Sequence, residues 1–358
     1  MSAVALVQLA IGGYRAKFIE DVRAHFGNQI CIAAGDEHLE ASVKTGIPAD
    51  QIDLPLRNVF LFGRKLVFQR GYRLALRGRE VWVLELNPRI LNTWLALIEA
   101  RLSGHTTVVW GHYFGRRIGE TSPRLGRLLM VRLSSRVLAY TDQDAARFAE
   151  RFPKKHVFTA PNSIDRLADL HPPGHLTRTD FVYVGRLETV KKPEALLHGY
   201  SYARMHGLLP PETRLLLVGD GAERSSLEAK VALLPQGTSV EILGGTFSSG
   251  TLESYYEHAV AGVCGGYVGL NITQSLSRGV PFIYPSISNH SPEVALSQPF
   301  INSFPYTDGT PKGIALSMSS AWNASSGGLI DYDAIAASTR EKYSVEMMVE
   351  GFISAVTE

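Results

Sequence analysis

FVYVGRLETVKKPEALL, residues 181–197, is the stretch from which the chain can be read. The β-branched and aromatic run 181–184 predicts a buried strand. It stops at Gly185, Arg186 follows at once, and Lys191 and Lys192 come just before Pro193 and a helical pattern. A strand that ends in glycine and opens towards a helix leaves backbone N–H groups unpartnered at its tip. Arginine and lysine beside them add fixed positive charge, with donors matched to phosphate oxygens. The stretch therefore predicts a diphosphate site at the C-terminal end of a strand. A surface ion-pair cluster is the plainer reading. The place of Arg186, directly behind a buried strand and a glycine, counts against it.

Outward from this stretch, short β-branched runs alternate with longer amphipathic ones. Predicted strands in the first half cover 4–9, 29–33, 81–84, 106–110, 137–140 and 157–160, with helical patterns over 15–26, 90–102 and 145–152. In the second half the strands are 181–184, 214–218, 240–243, 262–264 and 281–284, and the tail 332–356 reads as helical. Such alternation predicts parallel sheets covered on both faces. A length of 358 residues suits about two domains at roughly 150 residues each. Residues 165–179 include His171, Pro172, Pro173 and Gly174, lack periodicity and read as a connection. The expected organisation is an α/β domain over 1–168, a linker over 169–179, a second α/β domain over 180–335, and a helical tail over 336–358.

Composition narrows the function classes. Hydrophobic residues make up 45% and charged residues 20% of the chain, ordinary for a globular protein with a real core. Cys31 and Cys264 sit far apart in apolar runs and read as buried free thiols, not as a disulfide or a zinc site. The opening MSAVALVQLAIGG lacks a basic n-region and is interrupted by Gln8, so it reads as a first strand rather than a signal peptide. No apolar run reaches the ~18 residues of a membrane span, and the expected location is the cytoplasm. Residues 1–168 hold 24 Lys+Arg against 15 Asp+Glu, a net +9, while the remainder holds 12 against 19, a net −7. A basic half joined to an acidic half predicts different partners for the two.

The second half carries further ordered marks. LLLVGDGAERSSLE, residues 215–228, gives a strand, a Gly-Asp-Gly turn and a helix. Asp220 is the expected N-cap, and Gly219 and Gly221 allow close backbone approach. VEILGG (240–245), YYEHAVAGV (255–263) and GYVGLNITQSLSRGVPFI (266–283) follow. Taken with GRLETVKKP, this order resembles the donor-binding domain of glycosyltransferase family four and its relatives. The resemblance implies the GT-B fold: two Rossmann-like, doubly wound parallel-sheet domains facing across a cleft. It also implies that Arg186 and Lys191 hold the diphosphate of a nucleotide-sugar donor, with Gly185, Gly219 and Asp220 nearby. Fixed cations there stabilise the charge that builds on the departing phosphate, most strongly at the transition state. The family usually has two glutamates eight positions apart around the last turn, one on the donor sugar and one on the ribose. Gly266 and Gln274 stand at those positions here. The turn Gly269–Leu270–Asn271–Ile272–Thr273 keeps its helix-opening character for phosphate contact. Gln274 keeps an amide able to meet ribose hydroxyls.

The first half carries fewer marks. Gly12 and Gly13 follow the first predicted strand and resemble the loop that approaches the donor from the acceptor domain; a plain turn is the competing reading. His112, in VVWGHYF, follows the strand 106–110 and resembles the family's histidine at a strand end, where ligands bind. Sugar contact or transition-state stabilisation is its expected role. Pro161–Asp165 resembles the family's hinge segment, with a turn and helix cap as the equal alternative. Glu293, in NHSPEVA, can cap a helix or reach the cleft. No cluster has metal spacing, and neither a GxSxG elbow nor a P-loop is present. No resident metal or cofactor is expected.

Residues 57–79 contain Arg57, Arg64, Lys65, Arg70, Arg73, Arg77 and Arg79 without an acid, interleaved with apolar residues. A second basic cluster holds Arg116, Arg117, Arg124, Arg127, Arg132 and Arg136. The plain reading of 57–79 is a helix with a core face and a solvated basic face. The functional reading is docking on an anionic membrane beside a lipid-linked acceptor, each basic residue contributing about 1 kcal/mol. Nucleic acid also presents phosphates, but no nucleic-acid motif is present.

Together these readings describe a hexosyltransferase-type enzyme, peripheral at the inner face of the cell membrane. It would move a sugar from a UDP- or GDP-sugar to a glycan or polyprenyl-linked acceptor in surface polysaccharide assembly, and the resemblance implies retention of configuration. A catalytically silent nucleotide-sugar-binding partner or regulator of a transferase is the alternative, supported by the replaced glutamates. A related epimerase or phosphorylase is a third, and no phosphorylase-type cofactor lysine motif is present.

Overall fold

The computed structural model describes the whole chain except Met1, Ser42, residues 115–124, Pro172, Pro173, His175, Gln236, Ser288 and Asn289. Arg116, Arg117 and Arg124 of the second basic cluster lie outside the described residues. The chain forms two compact units, Met1–Ile164 with Ser344–Glu358, and Asp165–Tyr343.

The first unit contains β1 (Val4–Gln8), α1 (Ala16–Phe26), β2 (Ile30–Ala34), β3 (Leu54–Pro55), β4 (Arg57–Leu61), β5 (Leu66–Arg70), α2 (Tyr72–Leu76), β6 (Val81–Glu85), α3 (Leu91–Ser103) and β7 (Thr106–Trp110). It continues with α4 (Leu125–Leu133), β8 (Arg136–Ala139), α5 (Asp142–Arg151) and β9 (His156–Thr159). Seven strands form a sheet in the order β3-β2-β1-β6-β7-β8-β9, every pair parallel. All five residues of β1 and of β2 are buried, as strands covered on both faces require. One face packs against α1 through Phe18, Ile19, Val22 and Phe26. The other packs against α2, α3, α4 and α5 through Ala75, Leu97, Met130 and Phe148.

The second unit holds β10 (Asp180–Val184), α6 (Pro193–Met205), β11 (Arg214–Val218), α7 (Arg224–Val231), β12 (Val240–Leu243), α8 (Ser249–Tyr256) and β13 (Ala259–Val263). After these come α9 (Asn271–Leu276), β14 (Phe282–Pro285), β15 (Ser303–Tyr306), α10 (Pro311–Ser326) and α11 (Tyr332–Arg340). Its six parallel strands run β12-β11-β10-β13-β14-β15. Counted within the unit this is the order 3-2-1-4-5-6, the doubly wound Rossmann arrangement, and the first sheet begins with the same pattern. The order reverses between β1 and β6 in the first sheet and between β10 and β13 in the second. Ligand crevices of such sheets lie beyond the strand ends at these reversals.

The final helix, α12 (Val345–Thr357), belongs to the first unit. It covers the α1 face with Met348, Phe352 and Ala355, and Phe352 lies 5.6 Å from Phe18 and 5.9 Å from Trp110, ring centre to ring centre. Arg136 Nη1 donates to the Ala355 carbonyl at 2.9 Å.

Residues 57–70 correct the helical expectation. They form the antiparallel hairpin β4–β5, and only α2, five residues long, is helical in 57–79. Phe62, Gly63 and Arg64 take φ values of 51°, 62° and 63° and turn the chain between the strands. The period-2 alternation of RNVFL and LVFQR is a strand signal. Strand β15 lies outside the predicted strands, and β13 starts three residues before the predicted 262–264.

Candidate functional site

The reversal point of the second sheet gathers most of the residues singled out in the sequence. Strand β10 ends at Gly185 and its neighbour β11 ends at Gly219, and the two turns interlock. A Cβ on Gly219 would sit 1.8 Å from the Gly185 carbonyl oxygen, and one on Gly221 would sit 2.3 Å from that of Leu187. Only hydrogen fits at either place, so these glycines serve close backbone approach. Gly185 N–H donates to Val218 O at 3.0 Å, Leu187 N–H to Asp220 O at 2.9 Å, and Glu223 N–H to Leu187 O at 2.9 Å. The Tyr183 hydroxyl donates to Arg186 O at 2.6 Å and fixes the turn from beneath. Arg186 is thereby held at the strand's C-terminal end, with Nη1 2.9 Å from Glu188 Oε1.

Lys191 ends the short 3₁₀ turn Thr189–Lys191 that precedes α6. Lys192 takes the left-handed conformation, φ 48° and ψ 51°, and Pro193 opens the helix at its first turn. This sharp turn packs against the segment after β13. Tyr267 N–H donates to Val190 O at 2.9 Å, and Cβ atoms on Gly265 and Gly266 would fall 2.2 Å from Lys192 O and 2.3 Å from Val190 O. Lys191 Nζ donates to Tyr267 O at 2.8 Å and lies 5.1 Å from that ring's centre. A Cβ on Gly269 would be 3.3 Å from the same ammonium. GRLETVKKP and GYVGLNITQ, far apart in the sequence, thus pack together, with the Lys191 ammonium beside Gly269.

That turn is stiff. Gly269 N–H donates to Asn271 Oδ1 at 2.9 Å and Thr273 Oγ1 donates to Leu270 O at 2.7 Å. Asn271, Ile272, Thr273 and Gln274 are all buried on α9. Val268 N–H donates to His290 Nδ1 at 3.0 Å, while His290 Nε2 faces Pro285 O at 2.5 Å. A carbonyl can only accept, so Nε2 carries the hydrogen and Nδ1 is bare. Burial pulls the His290 pKa below its ordinary value and keeps the ring neutral. Cys264 lies beneath, buried, with its pKa raised by that burial, so it is a thiol rather than a reactive thiolate.

One sequence expectation changes here. Asp220 does not cap α7, whose N-cap is Glu223 without a side-chain cap bond. Instead Asp220 accepts from Gly245 N–H at 2.8 Å and from Arg224 Nη1 at 2.6 Å, which hold its carboxyl below the usual range and tie two loops together. Glu293 is the second residue of a short 3₁₀ turn, Pro292–Leu296, whose N-cap is Ser291; it is buried, with Oε2 lacking a hydrogen-bond partner among the described residues.

In the first unit, Gly12 and Gly13 follow β1, and Tyr14–Arg15 turn into α1. Arg15 is buried: Nη2 donates to the Tyr140 hydroxyl at 2.7 Å, and the guanidinium lies 4.8 Å from the Trp110 ring centre. His112 follows β7 after Gly111, at the sheet's C-terminal edge. Its Nδ1 is 3.2 Å from Asp144 Oδ2. Asp144 and Arg15 were absent from the sequence reading. A charge inside a helix start and an arginine after a glycine pair look like ordinary surface residues until the fold buries them.

The basic residues divide. Arg64 is tied into the hairpin: its guanidinium pairs with Glu37 at 3.1 Å, bonds the carbonyls of Leu39 and His38, and stacks 3.7 Å from the Phe60 ring centre. Lys65, Arg70, Arg73 and Arg77 lie on β5, α2 and their flanks, with Arg73 3.4 Å from Glu99. Among the described residues no helix is long and apolar enough to cross a membrane, and no group of His, Cys, Asp or Glu could hold a metal ion.

The sequence matches no protein-family model and no curated protein. Solved structures do match across the whole chain. HepE of Anabaena in complex with UDP and glucose aligns over 100% of both chains with a TM-score of 0.66 and 13% identity. The lipopolysaccharide outer core galactosyltransferase WaaB aligns over 99% of this chain and 98% of its own, with a TM-score of 0.64 and 16% identity. Sucrose-phosphate synthase of Thermosynechococcus elongatus aligns over 99% and 98%, with a TM-score of 0.65 and 15% identity. The chain therefore has the GT-B fold of these glycosyltransferases. At such identities the likeness shows the fold alone.

Proposed function

We propose that this protein transfers a sugar from a nucleoside-diphosphate sugar to a hydroxyl of a glycan or polyprenyl-linked acceptor in surface polysaccharide assembly. The observation that carries the reading is the setting of Lys191 Nζ over Gly269, in the corner where β10 delivers Arg186. Two cations delivered to the turns at the reversal point of a Rossmann sheet, Arg186 beside Glu188 and Lys191 on Tyr267 O, suit a diphosphate. As the bond from the anomeric carbon to the phosphate breaks, Arg186 and Lys191 neutralise the leaving diphosphate. Gly185 and the Gly269–Thr273 turn give the backbone room, Gly219 and Asp220 hold that corner in shape, and Gln274 is assigned to the ribose. Gly12, Gly13 and His112 are assigned to the transferred sugar and its surroundings. HepE, a structural neighbour, is described with UDP-glucose, which supports UDP as the first nucleotide to test. Retention of configuration follows the family resemblance.

The same proposal places the first unit on an anionic membrane surface. Phe62 at the hairpin turn and Leu74 on α2 are exposed among Lys65, Arg70, Arg73 and Arg77. Arg116 and Arg117 belong to this assignment by sequence. Sedimentation with vesicles should show binding that requires anionic lipid and weakens with salt; no binding at low salt would remove this part.

One observation favours a silent nucleotide-sugar binder: Gly266 leaves no room for the acid usual at that place. Incubation with UDP-, GDP- and ADP-sugars, following release of the nucleoside diphosphate, separates the readings. Release from one donor class supports transfer. A rise in melting temperature with a nucleotide but no release from any sugar supports the silent binder. Neither response would remove both.

A further inference from the structure

His112 is held from three sides within the first unit. Its Nδ1 lies 3.2 Å from Asp144 Oδ2. Its ring is 4.6 Å from the Tyr140 ring, centre to centre, and Tyr140 is fixed through its hydroxyl by the buried Arg15. Its carbonyl accepts from Arg127 Nη1 at 2.8 Å. Asp144 sits in the first turn of α5, where Thr141 Oγ1 accepts from its backbone N–H at 3.1 Å. The Asp144 side chain is only 1% exposed, and Arg147 Nη1 lies 3.5 Å from Oδ1. Burying a carboxylate is expensive unless it is paired and hydrogen-bonded. Helix capping alone explains the Thr141 bond. It does not explain why the buried carboxylate faces an imidazole at the C-terminal edge of the sheet.

We propose that Asp144 is a positioning residue that locks His112 in the Nδ1–H tautomer, so that Nε2 accepts a hydrogen bond from a hydroxyl of the sugar nucleotide or of the acceptor. A carboxylate can only accept, so the 3.2 Å contact assigns the hydrogen to Nδ1. A neutral imidazole has one donor and one acceptor nitrogen, and fixing the first fixes the second. The His112 side chain keeps 23% of its surface exposed, which leaves the ring reachable from solvent. Sugars present hydroxyl donors, and an acceptor nitrogen held by a buried carboxylate and an aromatic face suits them. The tautomer stands on geometry alone; the identity of the hydroxyl rests on the glycosyl-transfer reading.

Nitrogen NMR of the histidine rings in the intact wild-type chain tests the first part without any substrate. His112 should show a protonated Nδ1 and a bare Nε2, and the reverse would overturn the proposal. Turnover of the sugar nucleotide in Asp144→Asn, His112→Ala and the double variant tests the second part. Asp144→Asn should slow turnover about tenfold or more in the wild-type background, and by less than about twofold when His112 is already alanine. Equal losses in both backgrounds would make Asp144 merely structural and overturn the proposal. Wild-type turnover in His112→Ala would overturn the role of Nε2. The ratio of UDP-glucose to UDP affinity distinguishes the two sources of hydroxyl. A fall in Asp144→Asn places the hydroxyl on the donor sugar, and an unchanged ratio with slower transfer places it on the acceptor. A protein that turns over no sugar nucleotide fails the transferase reading, and the NMR result still decides the tautomer.

Discussion

Gly266 lies so close to Val190 that a Cβ at residue 266 would be 2.3 Å from the Val190 carbonyl oxygen and 2.9 Å from the Lys191 carbonyl carbon. The backbone that carries Lys191 therefore occupies the space a side chain at 266 would need. Gly266→Ala should displace the Lys191 turn, lower stability by about 1–3 kcal/mol, and weaken nucleotide binding at the same time. Gly266→Glu should do the same and more, and should not raise activity. Urea denaturation with nucleotide titration of each variant checks this. A Gly266→Ala protein as stable as wild type would show that the turn is not packed in this way.

Arg278 is buried between two carboxylates, 2.8 Å from Asp165 Oδ2 and 2.8 Å from Glu253 Oε1, and its Nη1 also bonds the Gln274 carbonyl. Removing a cation from a buried pair strands the anions, at about 3–5 kcal/mol. The surface pair Arg224–Asp220 is as short, at 2.6 Å, but exposed, and such pairs contribute about 0–1 kcal/mol. Arg278→Met should therefore destabilise the protein several-fold more than Arg224→Met in urea denaturation. Equal losses would contradict the burial argument.

Much of this was legible in the sequence, for identifiable reasons. The run 181–185, the Gly-Asp-Gly turn and the run 266–283 are local signals whose order is that of a Rossmann half, and parallel strands buried on both faces read as unbroken apolar runs. In residues 57–70 the arginines suggest a basic helix face, but the period-2 alternation on either side of Phe62–Lys65 is the signal that the hairpin follows. Asp144 and Arg15 could not be found by spacing. Their meaning lies in Trp110, His112 and Tyr140, which only the sheet brings beside them. The neutral clip made by His290 on Val268 is equally a product of folding, since 22 residues separate the two.

His290 gives the protein an acid-side sensitivity. Its pKa in the fold is lowered by burial, with Lys191 adding in the same direction and the Pro285 carbonyl opposing. The unfolded chain therefore takes up a proton as pH falls below about 6.5, while the folded chain resists it. Stability is unaffected by this group above that pH and declines below it. Urea denaturation at pH 7.5 and 5.5 should show a smaller acid-side loss in His290→Gln than in wild type. Identical losses would show that the ring titrates freely.

Gly351 lies inside α12, and a Cβ there would fall 1.8 Å from the Thr159 carbonyl oxygen of β9. Alanine normally favours a helix interior over glycine by about 1 kcal/mol. Here Gly351→Ala should destabilise the first unit, because the helix cannot stay seated on β9. A raised melting temperature in this variant would contradict the close docking of α12.

Arg186 and Lys191 are assigned to hold a diphosphate. Calorimetric titration of UDP and GDP into wild-type protein and Lys191→Ala, with melting temperatures recorded alongside, tests this assignment. One of the two nucleotides should bind wild type, and Lys191→Ala should bind it at least about tenfold more weakly, at a similar melting temperature. Equal affinity in the two proteins would contradict the assignment of this corner to the diphosphate.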